Sequence, residues 1–82
     1  MFKAIVYVTL KESVLDPQGS AVRGTLHKLG FEDAKDIRVG KYLEVTVDAG
    51  TREKAEGRVT EMCEKLLANT VIEDYRIELM EV

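Results

Sequence analysis

The residue pattern predicts an α+β domain of ferredoxin-like β-α-β-β-α-β order, with a four-stranded antiparallel sheet and two helices on one face. Three observations carry it. Apolar residues alternate at Phe2, Ala4, Val6, Val8 and Leu10; they recur at helical spacing at Val22, Leu26 and Leu29; and they do so again from Ala55 to Leu67. In the first strand Lys3, Ile5, Tyr7 and Thr9 take the opposite parity, so its second face is half apolar. Asp16 suits a helix N-cap and Pro17 the first helical position, where a missing N–H costs nothing. Gly30 fits the residue after the helix, and the first helix is expected over about residues 17–29.

Ile37 and Val39 predict a short second strand, and Gly40-Lys41 a two-residue hairpin turn into a third strand buried through Leu43, Val45 and Val47. Thr51 can cap the second helix, whose stripe is Ala55, Val59, Met62, Cys63, Leu66 and Leu67. Asn69 closes that helix, and Tyr75, Ile77 and Leu79 face inward from the last strand. Both helices on one side leave Ile5, Tyr7, Tyr42 and Met80 on the uncovered side, which makes them candidates for an oligomer interface.

The bulk numbers bound the rest. The 82 residues make one domain, 1–82, too short for a second core. One cysteine excludes an internal disulfide or a CxxC pair, so association between chains is an expected route to stability. A net charge of −3 argues against a nucleic-acid partner, and no apolar run suits a membrane span or signal peptide. A cytoplasmic location follows as the expectation.

No catalytic, cofactor-binding or metal constellation stands out. His27 has no companion ligand and reads as a solvated surface residue; Cys63 lies on the core stripe and reads as a small buried hydrophobe. Tyr7 and Tyr42 occupy the strands from which RNA-recognition domains stack bases, but VGKYLEVTV does not match their strand motif and Glu44 would repel phosphate. KESVLDPQGS lacks the arginine loop that acylphosphatases carry after the first strand.

Four segments are similar to one family almost end to end: VTLKESVLDPQGSAV at 8–22, LHKLGF at 26–31, IRVGKYLEV at 37–45 and MCEKLLANTVIEDYRIE at 62–78. They resemble PurS, the small subunit of phosphoribosylformylglycinamidine (FGAM) synthase in purine biosynthesis. Thr70 departs from the proline common there. The resemblance implies a non-catalytic accessory subunit, a dimer or tetramer, that bridges a glutaminase (PurQ) and a synthetase (PurL). It implies that ammonia from glutamine reaches the synthetase, which binds ATP and Mg and turns FGAR into FGAM. On that footing Asp16, Pro17, Gln18, Gly19, Arg38, Gly40 and Lys41 are candidate docking residues, with Gln18, Arg38 and Lys41 the ones that folding does not demand. The competing reading is an ACT-like regulatory dimer binding a small molecule, for which Gly19 is the loose support.

Overall fold

The computed structural model describes all of residues 1–82. Strand β1 runs Phe2–Leu10, helix α1 Pro17–Lys28, strand β2 Gly40–Val47, helix α2 Arg52–Met62, and strand β3 Glu73–Glu81. A single wide turn of π type, Cys63–Leu67, extends α2, with the Ala68 N–H donating to the Cys63 carbonyl at 3.0 Å.

The sheet has three strands in the order β2-β1-β3, and β1 is antiparallel to both neighbours. Phe2 pairs with Val47 and Glu81; Thr9 pairs with Gly40 and Asp74. Strands β2 and β3 therefore run parallel to each other, and α2 is the crossover between them. Its Ala55, Val59 and Cys63, spaced four apart, are fully buried on the sheet. Val59 and Cys63 form one cluster with Ala4, Val6 and Val8, the even-numbered face of β1, and with Val47 and Ala68. Leu43, Val45, Tyr75, Ile77 and Leu79 complete this inner face but remain only half-buried. Burying each core valine contributes about 1.5–3 kcal/mol, so a core of this size is thin.

The expected four-stranded sheet with both helices on it is not what forms. Ile37 and Val39 make no strand, and Gly40-Lys41 is the first pair of residues in β2, not a hairpin turn. The three remaining strands keep the neighbours that the ferredoxin-like order requires; the edge strand is what is missing. The cause is local. The segment between Asp36 and Gly40 is three residues long, and its groups are already taken: the Val39 N–H donates to Asp16 and the Arg38 guanidinium to the carbonyls of Leu10 and Lys11 at the end of β1.

Losing that strand frees the first helix. In the full motif α1 lies on the sheet because its chain must cross to the far edge. Here β1 and β2 are direct neighbours, so residues 11–39 leave and re-enter at one end of the sheet, and α1 projects from that end. Only Gly19 within it is buried. The molecule measures 51 × 27 × 14 Å, and its radius of gyration is 16.2 Å where about 12 Å suits a compact chain of this length. No helix is long and apolar enough to cross a membrane.

Glycine positions test this architecture. A Cβ at Gly19 would overlap the Ile37 carbonyl, whereas a Cβ at Gly57, on the open side of α2, meets nothing within 4 Å. Gly57→Ala is expected to stabilise the chain by about 0.5–1 kcal/mol through helix propensity. Gly19→Ala should lower the melting temperature, because the overlapping atom is rigid backbone. Paired thermal melts of the two variants check both signs.

Candidate functional site

The corner where β1 gives way to α1 is built around two side chains that satisfy backbone groups. Asp16 Oδ1 accepts from the Gly19 N–H at 2.9 Å, closing the helix N-terminus, and Oδ2 accepts from the Val39 N–H at 2.9 Å. One carboxylate thus ties the start of α1 to the approach of β2. These two N–H donors hold the Asp16 carboxyl below its ordinary value, the Gly19 N–H most strongly. From the other side Arg38 donates to the carbonyls of Leu10, Lys11 and Val14 at 3.2, 2.7 and 3.1 Å. Both residues are structural anchors, so Arg38 is not the spare group that the sequence suggested.

The two expected docking segments meet. A groove of about 230 Å³ is lined by Asp16, Gln18, Val39, Gly40, Lys41 and Glu73, under Val8 and Leu10. Pro17 and Gln18 are exposed beside it and Gly19 is packed beneath. Gly40 is required for a second close approach, since a Cβ there would overlap the Val8 carbonyl. Lys41 lies 3.8 Å from Glu73 and 3.4 Å from the Leu67 carbonyl, with its side chain more than half exposed. Glu73 also accepts from the Asn69 N–H at 2.7 Å. Nothing local in the sequence marks Glu73; it arrives because Leu10 pairs with it across the sheet.

The uncovered face carries Ile5, Tyr7, Tyr42 and Met80 as expected from parity, yet it is less apolar than that list implies. Tyr7 and Tyr42 are cross-strand partners whose rings stand edge to face, with centroids 5.6 Å apart at 73°. The Arg76 guanidinium caps the Tyr7 ring at 4.5 Å, and Lys3, opposite Met80, is paired with Glu44. Burial chiefly raises the Tyr7 phenol above its ordinary value.

Other titratable groups are engaged within the fold. Nε2 of His27 donates to the Ala34 carbonyl at 2.8 Å, so this histidine pins the loop after α1 and is only half exposed. Cys63 is fully buried, and burial raises its thiol. The Tyr75 hydroxyl donates to Glu64 at 2.7 Å, and that bond, before burial, pushes its pKa up to about 12.

With this geometry established, comparison with known proteins supplies the family. The model of the PurS family, described as phosphoribosylformylglycinamidine (FGAM) synthase, matches residues 3–81. The chain belongs to the PurS family. The phosphoribosylformylglycinamidine synthase subunit PurS of Bacillus subtilis is 58 % identical over 82 residues, covering 100 % of this chain and 96 % of that one. A crystal form of B. subtilis PurS superposes with a TM-score of 0.89 over 99 % of this chain and 100 % of that one. A chain in the structure of PurLQS from Thermotoga maritima is 33 % identical, with a TM-score of 0.88 and 96 % of both chains covered. Both superpositions span nearly the whole of this chain, so its overall fold is shared with these PurS chains.

The corner's charge has a pH signature. Because the folded Asp16 carboxyl sits below its unfolded value of about 3.9, its contribution is complete above that value. It is lost as the pH falls through the folded value. Asp16→Asn is therefore expected to melt below the native chain at neutral pH, with the gap closing under acid; melts between pH 7 and 2 check it. A spectrophotometric titration should likewise show one tyrosine ionising near 12, a step that Tyr75→Phe removes.

Proposed function

We propose that this chain is the small, non-catalytic subunit of an FGAM synthase and works by alignment. It bridges a PurL-type synthetase, which holds ATP and Mg, and a PurQ-type glutaminase, and it helps ammonia pass between them in the cytoplasm. It does so as a homo-oligomer. Membership in the PurS family supports this reading, as does the likeness to a chain of the T. maritima PurLQS structure.

The observation that carries the docking role is the convergence of the two segments on one groove. Folding consumes Asp16 and Arg38, which fix backbone, whereas Gln18 and Lys41 stand exposed on the scaffold those two brace. Preformed surface loses little freedom on binding, so a corner held at both ends suits the alignment of two larger partners. Neutral ammonia is readily protonated and diluted in water, and a sheltered junction is what its transfer requires. Reactive groups are not needed for that task.

Reconstitution with a PurL and a PurQ subunit tests the reading. The chain carrying Gln18→Ala and Lys41→Ala should melt close to the native chain, since the exposed Lys41–Glu73 pair is worth about 0–1 kcal/mol and neither side chain holds the corner. It is expected to lower glutamine-dependent FGAM formation about tenfold, the equivalent of roughly 1.4 kcal/mol of lost binding. An unchanged glutamine-dependent rate would remove the groove from the docking surface.

A further inference from the structure

The two helix caps of this chain are unequal. Thr51 closes α2 with one hydroxyl, which accepts from the Lys54 N–H at 3.2 Å. Asp16 closes α1 with Oδ1 alone, on the Gly19 N–H, and its Oδ2 is left for the Val39 N–H, each at 2.9 Å. Capping needs a single acceptor, and serine or asparagine supplies one as well as aspartate does. The second bond is therefore surplus to starting the helix. It also lets a charged side chain sit only 5 % exposed, which a carboxylate tolerates when its oxygens are bonded.

That second bond joins two elements that nothing else bonds together. The start of β2 is fixed on its own account, because Gly40 lies against the Val8 carbonyl and Lys41 pairs with Val8. Helix α1 has no such support, and Gly19, packed against the Ile37 carbonyl, is its one buried residue. Arg38 holds the chain on its way into the corner, at Leu10, Lys11 and Val14, and bonds nothing within α1. Asp16 is thus the hydrogen-bonded link from the helix start to the approach of β2. Gln18 is the second residue of α1 and Lys41 the second of β2, so they flank this link and line the same groove.

We infer that Asp16 is a positioning residue for the partner subunits. By bonding Gly19 and Val39 at once it fixes the gap between Gln18 and Lys41, and so presents the two side chains as one contact. Buried as it is, Asp16 offers a partner almost no surface and acts through those two residues. A pair held in place loses less freedom on binding than two groups on a loose joint. Loosening the joint costs affinity even though no contacting group is removed. The inference rests on the docking reading given above and adds to it the residue that sets the spacing of the contact.

A double-mutant cycle tests it. Asp16→Asn keeps an oxygen for the Gly19 N–H but turns an amide, which cannot accept, toward Val39. Gly19→Ala opens the same joint by overlap with the Ile37 carbonyl and leaves the carboxylate in place. Each substitution is made in the native chain and in the chain carrying Gln18→Ala and Lys41→Ala. All are titrated, below the melting temperature of every variant, into a mixture of a PurL and a PurQ subunit. The readout is the chain concentration that half-saturates glutamine-dependent FGAM formation. Either substitution is expected to raise it several-fold in the native background and not at all in the substituted one. The fall in melting temperature should be the same in both. An equal rise in both backgrounds makes Asp16 a stabiliser of the fold alone; it overturns the inference and spares the groove as a docking surface. No rise from either substitution in the native background overturns it likewise. If Gln18→Ala with Lys41→Ala by itself leaves half-saturation unchanged, the docking reading falls and the inference falls with it.

Discussion

The carboxylate of Asp16 decides the shape of the whole molecule, because it bonds two backbone N–H groups that are 20 residues apart, Gly19 and Val39. A helix start and the approach to a strand are thereby held at one point. Arg38 completes the constraint by gathering the carbonyls of Leu10, Lys11 and Val14. Once the two ends of residues 11–39 are fixed together, α1 has one direction left, outward from the end of the sheet. The sheet stops at three strands for the same reason. Arg38 and Val39, which would have paired as a fourth strand, are engaged in the brace.

What the sequence made legible was everything governed by neighbours along the chain. Alternation located β1, β2 and β3; Asp16-Pro17 and Thr51 marked helix starts that the structure bears out, and Gly30, with φ of +100°, marked the end of α1. The α2 stripe was legible too, except that its last turn widens to π type at Cys63–Leu67. What was not legible depended on long-range choices. A three-residue run such as Ile37–Val39 reads as a strand in isolation, and nothing local says that its N–H belongs to Asp16. Arg38 looked free because its three acceptors lie 24 to 28 residues away. That the two candidate docking segments adjoin was likewise not legible, nor that two of their residues, Asp16 and Arg38, hold the fold.

The division of labour among these residues follows from their geometry. A carboxylate accepting two N–H groups and a guanidinium donating to three carbonyls sit in the interior of the corner, where leaving a partner unpaired is costly. Gln18 and Lys41 stand on the outside, where their loss costs the fold little. Bracing thus falls to Asp16 and Arg38, while Gln18 and Lys41, within a few residues of them, are left at the surface. That arrangement lets the exposed side chains be shortened without removing a bond that holds the corner together.

A thin core and an uncovered helix have one origin. Removing the fourth strand takes away the crossover that would press α1 onto β1 and β2, and it leaves Leu43 and Val45 half-buried as a direct consequence. For a chain acting alone this is a loss of stability on both sides, helix and sheet. For a chain that works between other proteins the same omission is useful: apolar surface withheld from the monomer is surface with which an assembly can be built. The α1 face and the inner sheet face are thus left uncovered together, and one missing strand is the structural cause of both.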